Sequence, residues 1–288
     1  MALRFAKLEG AGNSYLAIDG RDEDRSWSAL ARAMARTHFG VGSDGIAVVQ
    51  RSRSAQVRMR IFNSDGSEAE MSGNGIRLFS KFVIDRGIAE PGAEGLLVET
   101  GGGLRRVHPT LESGRVVGAR VAMGEPCFEP ERIPVLLPER PDRVLDHPLA
   151  LGSSGARGAL ALRITCLSIG NPHAVAFPEA PVAAFPLAEV GPEVQNHAAF
   201  PNRINFEIVN VIDPGNLRVR VFERGEGETP SSGTGSTAAA IAARLHQPME
   251  DRIAVHLPGG TLYVEWPGSG EAFLEGPTVE VFTGVWPQ

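Results

Sequence analysis

The chain predicts an α+β protein of two pseudo-symmetric, β-rich α/β domains, each a sheet or barrel wrapped around a central helix. Three observations carry that expectation. Residues 57–75 (VRMRIFNSDGSEAEMSGNG) recur in register and without a gap as residues 217–235 (LRVRVFERGEGETPSSGTG). Each copy opens with alternating apolar and charged residues, the period of a half-buried strand. Each ends in Ser-Gly-x-Gly ahead of an apolar helical stretch, 76–83 (IRLFSKFV) or 236–245 (STAAAIAARL). The remaining segments read as many short strands with few helices, so much of the sheet should be antiparallel or mixed.

In the first half, an extended start over 3–8 meets Gly10-Ala11-Gly12-Asn13 and then an apolar run over 15–18, a hairpin or bulged strand pair. Residues 28–36 (SALARAMAR) are good helix formers, with Asp24, Ser26 or Ser28 as N-cap and Gly40 beyond the end. A glycine-rich turn over 40–45 leads to a strand over 46–49. After the repeat come strands over 96–100 and 116–123. The Pro-rich stretch 129–149 predicts part loop, part edge strand.

The second half repeats this grammar. Strand 162–168 and the Gly170-Asn171 turn precede a helical segment over 186–190, a strand over 205–211 and the second repeat strand. Strands over 252–256, 260–266 and 278–285 end the chain. The repeat and the terminal strands together predict one domain of residues 1–120 plus 274–288 and another of residues 121–273.

At 288 residues the chain is long enough for two cores. A net charge of −6 disfavours a nucleic-acid or anionic-membrane surface, which requires clustered Lys and Arg. No apolar run reaches the roughly 18 residues of a membrane span, and the start MALRFAKLEG lacks a signal-peptide core. The expected location is cytoplasmic. Cys127 and Cys166 are too few for a disulfide framework and are expected to be reduced. No metal is expected, because the seven histidines show no ligand spacing. No Rossmann-type glycine fingerprint follows an early strand, so no cofactor is expected either. The expected partner is a small-molecule amino acid, and a homodimer is compatible with the sequence.

A single Ser-Gly-x-Gly after a strand is more often just a turn, but two copies in register change the balance. Backbone N–H groups at a helix start lack intrahelical partners and sit at the positive end of the macrodipole, so they suit an anion or one forming during a reaction. Ser72 and Ser232 would each stand at such a start. Alone, His173 in Gly-Asn-Pro-His reads as a structural histidine after a tight turn, and Glu223 with Arg224 as a solvated pair on a strand end. Asn13, Asn63, Asn171 and Asn205 all lie beside glycine, proline or a strand boundary, where asparagine commonly serves turns.

The series GAGNSY, HFGVGSDG, FNSDGSEAEMSGNG, IGNPHAV, FPNRINFEIV and ERGEGET..SGTG, from residue 10 to about residue 240, resembles the ordered motifs of the diaminopimelate epimerase family. The resemblance implies a cofactor-independent isomerase with two pseudo-symmetric domains, converting LL-2,6-diaminopimelate to the meso form on the route to lysine and peptidoglycan. In that family the residue before each Gly-x-Gly is a catalytic cysteine; here both are serine, Ser72 and Ser232. The resemblance also implies that His173 and Glu223 support these catalytic positions. Asn13, Asn63, Asn171, Asn205, Glu223 and Arg224 match the substrate-binding set, while the backbone N–H groups of Gly73, Asn74, Gly233 and Thr234 would hold the reacting α-carboxylate.

A thiol titrates near 8.5, and a hydroxyl is a far weaker acid, so serine at both positions is expected to slow or abolish proton exchange. Two alternatives stand beside the epimerase. One is an isomerase or dehydratase of another amino acid, as among proline-racemase-like relatives; the other is a non-catalytic amino-acid-binding homologue.

Overall fold

The computed structural model describes residues 2–152 and 160–287. The chain forms two compact units, residues 1–122 with 275–288, and residues 123–274.

In the first unit, Leu3–Gly10 and Asn13–Asp19 form an antiparallel hairpin. Its two-residue turn places Ala11 at φ 54° and Gly12 at φ 85°, the pair of left-handed residues that a twist-matched hairpin demands. Helix α1, Trp27–Ala35, is capped by Ser26, whose hydroxyl accepts from the N–H of Ala29. It buries Trp27, Ala31 and Met34 with Leu16, Ile18, Ile46 and Val48.

Along the sheet, Asn13–Asp19 runs parallel to Gly45–Gln50, which is antiparallel to Val57–Asn63, which in turn is parallel to Leu96–Thr100 and then antiparallel to Gly103–Glu112. The C-terminal strand Val279–Trp286 pairs with the other edge of Leu3–Gly10. Helix α2, Gly73–Asp85, packs against the strands of this sheet, and residues 73–83 are all buried.

The second unit has the same succession. Leu160–Ser168 is antiparallel to Pro172–Ala176, then the sheet continues parallel to Asn205–Asp213, antiparallel to Asn216–Glu223, parallel to Arg252–Leu257 and antiparallel to Gly260–Glu265. Helix α3, Leu187–Gln195, packs on Asn205–Asp213, Asn216–Glu223 and the short strand Gly227–Thr229. Helix α4, Gly233–His246, is the central one. Its alanine-rich face lets strands approach closely, and residues 235–243 are all buried.

Several elements differ from expectation. Both central helices start at the first glycine of Ser-Gly-x-Gly, three residues earlier than the apolar stretch indicated, because the serine caps the helix and the glycines form its first turn. Helix α3 extends through Pro192 to Gln195. Pro192 lies in the second turn, where its missing N–H costs one bond, and the buried Leu187, Val190 and Val194 hold the helix to the sheet. Gly103–Glu112 is a strand despite a polar sequence, because only one face of its middle is covered. The 129–149 stretch is irregular until a short strand, His147–Leu151.

Candidate active site

In the first unit, Ser72 is the N-cap of α2, with φ −137° and ψ 124°, and its Oγ accepts from the N–H of Gly75 at 3.0 Å. Gly73 and Asn74 are thus the first helical residues. The positive end of the helix dipole lies behind their N–H groups. Asn63 ends the preceding strand and donates through Nδ2 to Ser67 Oγ at 3.0 Å. Asn13 Nδ2 donates to Asp44 Oδ2 at 2.6 Å, and the same oxygen accepts from the N–H of Ser14 at 2.7 Å. Burial pushes the Asp44 carboxyl above its usual range, and these two donors oppose it.

The second unit builds the same turn with a different lining. Ser232 caps α4 with φ −141° and ψ 124°, and its Oγ accepts from the N–H of Gly235 at 3.1 Å. That hydroxyl also donates to Glu223 Oε2 at 2.9 Å, while Thr229 Oγ1 donates to Glu223 Oε1 at 2.6 Å. Glu223 is half-buried as a residue, with its carboxylate turned inward. Burial pushes its carboxyl upward; the two hydroxyl donors and the nearby His173 act in the other direction.

His173, on the Pro172–Ala176 strand, is fully buried. Its Nδ1 lies 2.7 Å from Glu207 Oε1 and its Nε2 lies 2.8 Å from Asn171 Oδ1. Asn171 Nδ2 in turn donates to Thr234 Oγ1 at 3.3 Å, joining this group to the first turn of α4.

Asn205 and Arg224 meet through the backbone. Asn205 Oδ1 accepts from the N–H of Arg224 at 2.8 Å, and its Nδ2 donates to the carbonyl of Pro172 at 3.1 Å. Asn205 therefore fixes the start of its strand and the bend that follows Glu223. The Arg224 side chain is exposed, with Nη1 donating to the Asn202 carbonyl at 3.2 Å.

Ser232, Gly233, Thr234, Glu223, His173 and Asn171 thus lie around one helix start in the second unit. Ser72, Gly73, Asn74, Asn63 and Asn13 occupy the corresponding helix start and strand ends of the first. Three residues that the sequence reading did not single out belong to these settings: Asp44, Thr229 and Glu207. Glu207 had a signal: it is the acidic residue within Phe206-Glu-Ile-Val209, an otherwise apolar run, and a charge in a strand buried on both faces needs a partner.

Glycine has a different task at the third helical position of each copy. A Cβ on Gly75 would lie 2.6 Å from Ile61 Cδ1, whereas one on Gly235 would lie 2.9 Å from Glu207 Oε1.

The family model described as diaminopimelate epimerase matches residues 5–129 and 165–281. Among relatives, the diaminopimelate epimerase of Moorella thermoacetica is 43% identical over 288 residues, covering 99% of each chain. That of Acetivibrio thermocellus is 40% identical over 284 residues, covering 98% of each. Solved structures share the fold at low identity. A phenazine biosynthesis protein of the PhzF family from Bacillus anthracis superposes with a TM-score of 0.69 at 19% identity, covering 100% of both chains. A hydroxyproline epimerase from Agrobacterium vitis, with trans-4-hydroxy-L-proline bound, gives 0.68 at 14% identity, covering 99% of this chain and 90% of that one. With the family model spanning most of its length and full-length relatives at 40% identity and above, the chain belongs to the diaminopimelate epimerase family.

Proposed function

We propose that this chain epimerises diaminopimelate, interconverting the LL and meso forms by removing the proton from one α-carbon and returning a proton to its opposite face. The observation that carries this reading is the Ser232 hydroxyl. It sits at a helix N-terminus and donates at 2.9 Å to Glu223, a carboxylate positioned to take its proton.

The reaction requires one acid/base group on each side of the α-carbon. Ser232, supported by Glu223 and His173, is assigned to one side and Ser72 to the other. As the Ser232 hydroxyl proton passes to Glu223, its oxygen takes the α-proton, the carbanion charge spreads into the α-carboxylate, and Ser72 gives its hydroxyl proton to the opposite face. The N–H groups of Gly233 and Thr234, with those of Gly73 and Asn74, are assigned to the α-carboxylate, where they would stabilise the charge that enters it. Arg224 is assigned to the distal carboxylate, which a guanidinium fork suits, and the asparagines 13, 63, 171 and 205 to shaping the site.

Serine makes this a slow catalyst relative to a thiol enzyme of the same design. Each pKa unit of mismatch lowers the reactive population about tenfold, roughly 1.4 kcal/mol. Because each serine oxygen already serves as a helix cap, a second reading is a homologue that binds the amino acid without turning it over. Incubating the protein with LL- and meso-diaminopimelate in deuterated water and following the α-protons by NMR separates the two. Deuterium incorporation together with the second diastereomer supports the epimerase; binding without incorporation supports the second reading. Absence of binding rules out both.

A further inference from the structure

Arg77, the fifth residue of α2, is a fully buried guanidinium. Helical side chains lean towards the N-terminus, and this one reaches back to the first helical residue, where Nη1 donates to the Gly73 carbonyl at 3.1 Å. Its Nε and Nη2 are also buried and have no hydrogen-bond partner among the described residues. Asp85, the only carboxylate on α2, lies further along the helix and takes Lys81 at 2.9 Å. Burial with no carboxylate to offset it pulls the Arg77 guanidinium down to about 10, which still leaves it charged at neutral pH.

The second unit fills the same position without a charge. The fifth residue of α4 is Thr237, also fully buried, and its Oγ1 donates to the Gly233 carbonyl at 2.9 Å. A hydroxyl bonding back one turn is an ordinary way to cover that carbonyl and to satisfy itself. Arginine makes the equivalent bond but encloses a cation to do so, and the bond alone does not account for that. The two helix starts differ in the opposite sense in their carboxylates. Ser232 donates to Glu223, whereas the matching strand end of the first unit is Asn63, an amide whose Nδ2 donates to Ser67.

We propose that Arg77 is a positioning residue for the first helix start, its enclosed charge stabilising negative charge on the side-chain atom of residue 72 that heads the helix. In the proposed reaction Ser72 gives up its hydroxyl proton and its oxygen is left negative. A fixed cation bonded to the adjoining residue favours that state in a low-dielectric setting. The role in the reaction rests on the proposed function; the electrostatic effect on residue 72 does not.

A thiol reports the charge directly. In Ser72→Cys, the pH dependence of alkylation by iodoacetamide, resolved from Cys127 and Cys166 by peptide mass spectrometry, gives the thiolate population at position 72. With Arg77 in place, this thiol is expected to titrate below the ordinary value of about 8.5. Adding Arg77→Thr, which keeps the second unit's hydrogen bond and removes the charge, should lower alkylation at pH 7 about tenfold and move its rise to higher pH. Adding Arg77→Lys, which keeps the charge, should change it less than about threefold. Should Arg77→Thr not fold, Arg77→Gln replaces it with the same expectations. With Ser72 retained, Arg77→Thr should slow exchange of the diaminopimelate α-proton about tenfold. A thiol at position 72 that titrates at or above about 8.5 beside Arg77 overturns the proposal, even if no neutral variant folds. So does an alkylation profile unchanged by Arg77→Thr, or a loss in Arg77→Lys as large as in Arg77→Thr. A thiol that depends on the charge at position 77, in a protein that never exchanges the α-proton, refutes the proposed function and leaves the positioning role intact; exchange alongside a thiol indifferent to that charge does the reverse.

Discussion

The Ser72 turn and the Ser232 turn have nearly the same backbone and different chemistry. Their N-cap angles agree within a few degrees, each serine accepts from the third helical N–H, and each preceding strand carries a bidentate pair, Arg60 to Glu68 and Arg220 to Glu228. Yet the strand ends in Asn63 in one and Glu223 in the other, and Ala47 answers Glu207. Backbone hydrogen bonding and a sterically demanding glycine preserve the turn, whereas its lining is free to diverge as long as each buried polar group finds a partner. The repeated part is the helix start; the unique part is its lining of titratable side chains.

The harshest trial of that comparison restores acidity on both sides at once. Converting Ser72→Cys together with Ser232→Cys is expected to raise α-proton exchange on diaminopimelate by orders of magnitude, because a thiolate is far more populated near neutral pH than an alkoxide. Deuterium incorporation measures it, and calorimetry should show little change in affinity. A double variant that binds without gaining exchange removes both serine positions from the mechanism.

Next in size is Glu223→Gln, expected to cut exchange by roughly 10²–10⁴-fold as a lost acid/base partner. Asn63→Asp, at the matching position, should alter it far less. Glu223 also sets a pH signature in stability. Its folded pKa is raised by burial, so its contribution is fully present below the unfolded value and is lost as pH rises through the raised one. The melting temperature of Glu223→Gln, relative to the unaltered protein, is therefore expected to improve from pH 4 to pH 8. A flat difference across that range would show that the carboxyl titrates as an ordinary glutamate.

The caps separate the halves more gently. Ser72→Ala should cost about 1 kcal/mol in urea unfolding, the usual value of a lost N-cap. Ser232→Ala should cost roughly 1–3 kcal/mol more, because it also takes a donor from the enclosed Glu223 carboxylate. Equal costs would mean that the Ser232–Glu223 bond adds nothing to folding.

Smallest is the pair of strand ion pairs. Arg60→Ala is expected to cost about 0.2–1 kcal/mol, as for a surface pair. Arg220→Ala should exceed it, since Arg220 Nη1 also donates to the carbonyls of Val182 and Phe185 at 2.7 and 2.9 Å. Parallel denaturant titrations compare them.

What was legible in the chain follows the same division. Val57–Asn63 and Asn216–Glu223 announce themselves by alternation, and the two helices by the apolar runs after Ser-Gly-x-Gly, because these signals are local. The role of Asn205 was not legible: its amide is used on the Arg224 N–H and the Pro172 carbonyl, partners fixed only when three strands assemble. The sequence pattern shows helix α3 only over 186–190, whereas the buried Leu187 and Val194 carry it through Pro192 to Gln195. Pro172–Ala176 is left unassigned by the sequence pattern, since five residues opening with proline are too short to show a strand.

The two third-position glycines carry an implication for how such a duplicated chain drifts. At Gly75 the obstacle to a larger residue is the tip of an isoleucine, which another rotamer or a trim to valine can clear, so the position is correctable by one compensating change. At Gly235 the obstacle is the Glu207 carboxyl group that faces a buried histidine, and relieving the clash means breaking a buried hydrogen bond. Two identical letters in a repeat thus meet unequal obstacles: one is a side-chain tip that can move, and the other is a carboxyl group hydrogen-bonded to a buried histidine.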